Sequence, residues 1–472
     1  MSEDFIQSLI AIVGESHVLR DGDLSAYTQD WRKRYQGKAL AVVLPGSAQE
    51  VADAVKACVA AQVSLVPQGG NTGLVLGSVP DVTGQQVVLN LKRMNSVRSL
   101  DAANLTMTLD AGCILQQAQE AASAAGYWLP LSLAAEGSCT IGGNLATNAG
   151  GTQVLRFGNA RDLCLGLEVV TPQGEIWSGL SGLRKDNTGY DLRHLLIGSE
   201  GTLGIITAAT LKVYPQPAAQ WTAWASVPDV DAAVQLLGLA QQRLGPTLTG
   251  FEMMGQFALS LVTKHFPDQR VPFSAAPYAV LLESSDFESE AHARALFDSL
   301  LEHALELGCI TDAIVAESMA QAKALWHLRE SIPLAQAQEG LNIKHDISIP
   351  VSKMVAFVSH TDALLQAAFP GVRLVNFGHL GDGNLHYNVQ CPEGADGRAF
   401  LTQHEDAINA LVFDAVRQFD GSISAEHGVG SLKANKLPQY KSAVALQMMR
   451  QIKKALDPDN LFNPGRVIDP FA

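Results

Sequence analysis

Two histidines flank a glycine-rich reversal in Asn376-Phe-Gly-His379-Leu-Gly-Asp382-Gly383-Asn-Leu-His386-Tyr-Asn388-Val389. Val372–Gly378 and Asn384–Gln390 read as two strands joined by a Gly-Asp-Gly turn, because glycine supplies the positive φ that a tight reversal needs. A turn centred on Asp382 and Gly383 sets His379 opposite His386. Directly opposed residues share a face, and so do residues two apart on one strand. His379, His386 and Asn388 are therefore expected on one patch. Two histidines held this way could bind a divalent metal, although a third ligand is missing from the hairpin. A glycine-rich hairpin with two hydrogen-bonded histidines accounts for the pattern equally well.

A third ligand is available downstream, in Ser422-Ile-Ser-Ala-Glu426-His427-Gly428-Val-Gly430. Glu426 would complete a set of two histidines and one carboxylate with an open position, the pattern of a catalytic zinc site. His427 would then serve as a base. A surface loop with a Glu-His pair is the bland alternative.

Such a site needs elements to hold it, and the chain is long enough to supply them. Its 472 residues suggest two or three domains. A composition of 47% hydrophobic and 17% charged residues is ordinary for a globular enzyme. The formal net charge of −14 argues against nucleic acid or an anionic membrane as partner. An anionic substrate would need a local cluster of Arg and Lys. The N-terminal Met-Ser-Glu-Asp lacks the basic start and apolar run of a signal peptide. No apolar stretch reaches the roughly 20 residues of a membrane span. Cys58, Cys113, Cys139, Cys164, Cys309 and Cys391 are scattered, without a C-x-x-C, as buried thiols of a reducing compartment would be. The expected location is cytoplasmic. No heptad run sets an oligomeric state, and a homodimer is one assembly the chain allows.

Residues 1–38 read as a helix and a loop ending in the basic, aromatic Trp31-Arg-Lys-Arg-Tyr35. Ala39–Leu44 reads as a strand. Ser47 and Glu50 form a capping box for a helix running to about Ala61. Val63–Val66 is a short strand, and Pro67-Gln-Gly69-Gly70-Asn71-Thr72-Gly73 follows directly. This loop is neither G-x-G-x-x-G nor a Walker A loop. Its bare N–H groups still make a nest for a phosphate or pyrophosphate. A second glycine-rich run of sixteen residues spans Glu136–Gly151 and could let backbone lie close to a large, flat, polar ligand. Between these loops lie strands at Gln86–Leu91 and Leu105–Asp110 and a helix at about Ile114–Ala125. A hairpin, Leu165–Thr171 with Glu175–Ser178, and a strand Ile205–Tyr214 close the first domain. Domains are expected at 1–215 and 216–421, with a returning C-terminal segment at 422–472. The second domain alternates strands (Trp221–Ser226, Tyr278–Ser284) with helices near 230–243, 287–307, 317–330, 353–367 and 399–419. That suits an α+β cap over an antiparallel sheet. Ser442–Leu456 reads as a helix.

Three of these stretches resemble the flavoproteins of the vanillyl-alcohol-oxidase / para-cresol-methylhydroxylase family: Pro67–Gly73, Gly142-Gly143-Asn144-Leu-Ala-Thr147-Asn148, and Ile197-Gly-Ser-Glu-Gly201-Thr-Leu-Gly-Ile-Ile206. Within that family the chain is similar to the FAD-linked D-2-hydroxyacid dehydrogenases. The D-2-hydroxyglutarate dehydrogenases are the nearest likeness, through Leu183-Arg-Lys-Asp-Asn-Thr-Gly-Tyr-Asp191, Asn376–Val389 and Ser424-Ala-Glu-His-Gly428. The implied fold is a two-part FAD-binding domain with an α+β cap over an antiparallel sheet. The resemblance implies FAD along Pro67, Gly69, Gly70, Asn71, Thr72, Gly73 and Ser78 in the first loop region. It adds Gly137, Thr140, Gly142, Gly143, Asn144, Thr147 and Asn148 in the second, then Gly201, Ile206 and Asn463. Relatives with covalent flavin use a histidine in the first loop, which has none here, so FAD is expected to be non-covalent.

The same resemblance implies substrate contacts at Arg329, Lys344 and Asn388, a catalytic base at His427, and a divalent metal, zinc by first expectation, on His379, His386 and Glu426. Arg suits a carboxylate through its planar fork, and Lys offers a movable charge. A threonine that touches substrate in 2-hydroxyglutarate-active relatives is replaced by Pro333, which has neither hydroxyl nor N–H. The implied reaction oxidises a D-2-hydroxy acid to the 2-oxo acid by hydride transfer to flavin N5, with D-2-hydroxyglutarate first and D-lactate or glycolate as alternatives. The implied electron acceptor is an electron transfer flavoprotein or a quinone. Two other classes fit parts of the pattern: a zinc hydrolase, and a non-catalytic electron-transfer subunit.

Overall fold

The computed structural model describes residues 3–471, so Met1 and Ser2 of the N-terminal stretch lie outside it. The chain divides into two compact units. One comprises residues up to Gly150, Gly158–Gln216 and Glu426 onward; the other comprises Gly151–Phe157 and Pro217–Ala425. The short piece Gly151–Phe157 had no sequence signal to separate it from its surroundings.

The first unit is built on two sheets. In the smaller, Ala39–Val43 and Leu65–Gln68 flank Gln86–Asn90 in parallel, and Val18–Leu19 pairs antiparallel at the edge. The helix Ala48–Ala60 makes the crossover. Ser47 Oγ accepts the Glu50 N–H at 3.1 Å, while the Glu50 carboxylate accepts the Gly46 N–H at 2.7 Å. The box therefore closes one residue earlier than its usual form. Val42, Val66 and Val88 fill the space beneath Leu19 and Tyr27. The larger sheet is antiparallel, in the order Val97–Asp101, Thr106–Asp110, Ile205–Lys212, Cys164–Val170, Ile176–Gly179.

The C-terminal helix Ala443–Leu456 leads the chain back to the first sheet. Leu65 N–H donates to Leu461, and Asn463 N–H donates to Leu65, both at 2.8 Å. Buried Lys453 pairs with Asp457 and donates to the carbonyls of Thr202 and Phe462 at 2.8 Å each. An ammonium buried this deeply is tolerated because all three N–H donors are used.

The second unit holds an eight-stranded antiparallel sheet. Its central strands are Ala219–Val227, Tyr278–Asp286, Leu248–Gly255, Arg373–Gly378 and Asn384–Gln390, in that spatial order. Short strands Asn342–Ile343 and Asp346–Ser348 both pair with Asn384–Gln390. Leu248–Gly255 is buried at every position and had no place in the sequence reading. A strand covered on both faces loses the alternation that marks a half-exposed one.

One helix departs from expectation. The sequence predicts a helix ending near residue 330, ahead of Pro333, yet Met319–Glu339 continues through it. Proline in a helix interior costs about 3 kcal/mol through a lost bond and a clash. Leu325, Leu328, Ile332 and Ala335 pack with Trp224, Leu281 and Phe377 in one core cluster. Burying several such side chains at ~1.5–3 kcal/mol each outweighs that cost. All six cysteines are free and buried. Among the described residues no helix is long and apolar enough to cross a membrane.

Candidate active site

In the first unit the strand Leu65–Gln68 runs straight into the first glycine loop, and side chains outside the loop hold its shape. Asn90 Nδ2 donates to Gln68 Oε1 at 3.0 Å and to the Gly69 carbonyl at 2.9 Å. Gln68 in turn donates to the carbonyls of Tyr27 and Ser78. Asn71, at a left-handed φ of 53°, donates to Gln29 and accepts from Ser78 Oγ at 3.0 Å. A β-carbon on Gly70 would lie 2.0 Å from the Ser138 carbonyl, and one on Gly69 would lie 2.3 Å from Thr140 Oγ1. The two glycine-rich stretches therefore touch through bare backbone.

The second stretch is not loop throughout. Ile141–Thr147 is a short helix, capped by Thr140 Oγ1 accepting the Gly143 N–H at 3.4 Å and ended by Asn148 at φ 53°. Gly142 survives in it because the helix sits hard against Ala111, whose Cβ would lie 2.6 Å from a Gly142 Cβ, and a Gly143 Cβ would crowd the capping Thr140 Oγ1 at 3.2 Å. A cleft opens between the two stretches. Of the residues expected around a flavin, Pro67, Gly69, Gly70, Asn71, Thr72, Gly73, Ser78, Thr140, Gly142, Gly143, Asn144, Thr147, Gly201 and Ile206 line it. Gly137, Asn148 and Asn463 are not among its lining. Asn148 instead accepts the Arg161 N–H, and Asn463 donates to the carbonyls of Gly77 and Glu200 at 2.7 Å each, behind the wall. His427 lines the same cleft. Cys139 is buried, its thiol pushed up to about 11 mainly by that burial, and it is no nucleophile near neutral pH.

In the second unit the histidine hairpin has a different register from the one its glycines suggest. Phe377, not His379, pairs with His386. His379 sits beyond the strand, ahead of a 3-10 turn at Leu380–Asp382 that ends on Gly383 at φ 81°. The longer turn shifts the pairing, yet the two rings still approach, with centroids 5.7 Å apart. His379 Nδ1 lies 2.5 Å from Glu252 Oε1. His386 Nδ1 lies 3.7 Å from Asp346 Oδ1, which also accepts from Asn384 Nδ2 at 2.9 Å. Each ring thus shows Nδ1 to a carboxylate and keeps Nε2 on its other edge. That carboxylate-histidine order is what ligating histidines adopt.

Glu252 is the residue the sequence reading missed. It is fully buried on Leu248–Gly255 and accepts Arg329 Nε at 2.7 Å as well as His379. Burial alone would raise its carboxyl, but His379 and Arg329 override that and bring it to about 2. The available signal was a charged residue inside the apolar run Phe251-Glu-Met-Met254, since an unpaired carboxylate is rarely buried. Arg329 is 6% exposed, lies 5.0 Å over the Phe377 ring, and its buried Nη2 has no hydrogen-bond partner. Asn388 is buried, donating to Gln336 at 2.9 Å and accepting the His345 N–H at 3.0 Å. Lys344 is half-buried between the two short strands.

Ala425 N–H donates to the Asp346 carbonyl at 3.2 Å, on the strand paired with His386. Glu426 is the next residue along the chain and opens the C-terminal stretch of the first unit. His427 follows, and Glu200 accepts the N–H groups of Val429 and Gly430 just beyond it.

The chain matches the family model described as FAD linked oxidases, C-terminal domain, over residues 216–467, and the FAD binding domain model over residues 39–179. It is 41% identical to a D-2-hydroxyglutarate dehydrogenase of Xanthomonas citri pv. viticola, across 95% of this chain and 93% of that one. It is 36% identical to the mitochondrial D-2-hydroxyglutarate dehydrogenase of Bos taurus, across 100% of this chain and 85% of that one. Among solved structures, p-cresol methylhydroxylase with substrate bound superposes with a TM-score of 0.79 at 17% identity, covering 99% of this chain and 97% of that one. The glycine cradle, the two-unit architecture and these similarities agree: the chain belongs to the FAD-linked D-2-hydroxyacid dehydrogenases and shares the fold of p-cresol methylhydroxylase.

Proposed function

We propose that the protein oxidises a D-2-hydroxy acid, with D-2-hydroxyglutarate the best fit, to the corresponding 2-oxo acid. The observation that carries this reading is Arg329. A buried guanidinium with an unpartnered Nη2 is poised for an incoming carboxylate, and it shares Glu252 with His379.

The residues present fit both groups the family implies. The flavin cleft has glycines where side chains would collide with backbone, and small polar residues elsewhere. With no histidine in the first loop and a neutral, buried Cys139, FAD is held non-covalently. Bound FAD supplies the two-electron acceptor for the hydrogen on the substrate Cα. His379, His386 and Glu426 would hold a divalent cation, zinc by donor type, which supplies a Lewis acid for the 2-hydroxyl.

The chain's own residues do the rest. Arg329 grips a carboxylate through its fork, and Lys344 adds a second positive charge for a diacid. Pro333 contributes no hydrogen bond, so the distal carboxylate depends on those two cations. Asn388 braces the substrate wall through Gln336 and the His345 backbone. His427 takes the hydroxyl proton as the Cα hydrogen leaves. Two electrons then pass to an acceptor such as an electron transfer flavoprotein or a quinone.

The test is anaerobic mixing of the yellow protein with D- and L-2-hydroxyglutarate, D-lactate, D-malate and glycolate, with and without a chelator. Bleaching by D-2-hydroxyglutarate that the chelator suppresses is the expected result. A protein that keeps FAD but is bleached by none of these acids overturns the reading.

A further inference from the structure

We propose that Glu252 is a positioning residue that ties cation binding at His379 to anion binding at Arg329. The inference rests on the metal and substrate roles just assigned to those two residues and adds the link between them.

Glu252 lies in the middle of the buried sheet, fully shielded from solvent. It divides its two oxygens: Oε1 meets His379 Nδ1 at 2.5 Å, and Oε2 meets Arg329 Nε at 2.7 Å. A carboxylate only accepts, so each partner must present a hydrogen to it. For His379 this fixes the tautomer with the proton on Nδ1 and the lone pair on Nε2, the form that ligates a cation. For Arg329 it pins Nε, and the Phe377 ring 5.0 Å from the guanidinium fixes its plane. The fork edge that includes Nη2 is then aimed by construction rather than by chance.

Both Glu252 oxygens are engaged. Glutamine has nearly the same shape but offers one acceptor and one donor group. If its amide N–H groups face His379, the ring must move its proton to Nε2 and lose the lone pair a cation needs. If they face Arg329, two donors confront each other inside the sheet and the fork turns away. Either orientation weakens one function, and interconversion between the two weakens both.

The test compares wild type with Glu252→Gln and Glu252→Asp. The first readout is cation content per FAD as zinc is titrated against a competing chelator, which needs no turnover. The second is the split between KM and kcat for the D-2-hydroxy acid. Glu252→Gln is expected to bind zinc about 10- to 100-fold more weakly, the usual loss when a partner of a ligating histidine is removed. Its KM should rise as well. Glu252→Asp keeps the charge but is one methylene too short to reach both partners, so intermediate losses in both readouts are expected. If Glu252→Gln does not fold, as judged by circular dichroism and the loss of a cooperative melting transition, the Asp variant decides alone. Wild-type zinc affinity and KM in the folded variants, whatever their melting temperature, overturn the proposal. A wild-type protein that holds FAD but takes up no divalent cation overturns the underlying metal role and this proposal together, and that failure shows in the wild type rather than in the variants.

Discussion

Glu200 Oε2 accepts the backbone N–H of Gly430 at 2.8 Å, while Oε1 accepts that of Val429 at 2.7 Å. The turn after Ile197 thus grips the stretch that carries His427. Glu200 itself takes a left-handed φ of 53°, and Gly428 has φ 81° with no room for a β-carbon, which would lie 2.6 Å from Glu200 Oε1. Burial pushes the Glu200 carboxyl up, and the two amides oppose that. Glu200→Ala strands the buried Gly430 N–H, at about 1–3 kcal/mol, and the part-buried Val429 N–H at less. It should lower the unfolding midpoint and, by misplacing His427, cut kcat on the order of 100-fold. Stopped-flow flavin reduction and thermal melts measure both; an unchanged kcat would show that His427 needs no such anchor.

The glycines of the first loop separate protein packing from cofactor contact. Gly70 faces the Ser138 carbonyl at 2.0 Å from any added β-carbon, so Gly70→Ala must move backbone. Gly73 lines the same cleft, yet a β-carbon there meets no protein atom within 4 Å. Gly70→Ala is expected to lose both FAD and several degrees of melting temperature. Gly73→Ala should fold normally and lose only FAD affinity, seen as a lower flavin-to-protein absorbance ratio. Full flavin content in Gly73→Ala would place the cofactor away from that end of the loop.

Much of this architecture was written in local signals. Ser47 before an apolar helical face, and glycines directly after Leu65–Gln68, mark their elements because caps and positive φ depend on few neighbours. What escaped depends on distant contacts. Leu248–Gly255 is covered on both faces, so it carries no alternation, and Glu252 went unremarked with it. The helix through Pro333 persists only because Leu328 and Ile332 reach the sheet. The His379–His386 pairing failed by register: a 3-10 turn uses more residues than the two-residue reversal that Asp382-Gly383 suggests. The candidate site residues stood out by type, since two histidines, a late-helix arginine and a Glu-His pair sit in motifs with few structural uses.

His386 separates flavin binding from turnover. It sits in the second unit, whereas all the residues lining the flavin cleft belong to the first. His386→Ala should therefore retain FAD at the wild-type ratio. Turnover should fall at least 100-fold, because one of the three proposed cation ligands is gone and two rarely hold a catalytic ion. Flavin absorbance and steady-state rates measured on one preparation check this, and a fully active variant would remove His386 from the cation site.

Acid stability should report Glu339, at the end of the helix that carries Arg329. Its carboxylate meets Lys264, His265 and Arg373, each at 2.7 Å. Burial alone would raise its pKa, but the three hydrogen bonds reverse that and bring it from an ordinary 4.5 to about 2. The folded state therefore binds this proton less readily than the unfolded chain, and stability rises with pH across that interval. The contribution is full above about 4.5 and is lost as pH falls from there towards 2. Lys264 is more than half exposed, so solvent screening holds the effect to about 1–2 kcal/mol. Glu339→Gln should lower the urea midpoint at pH 7, and the gap to wild type should close progressively below pH 4.5. A gap that stays constant down to pH 3 would mean that the loss at pH 7 came from packing rather than from the charge.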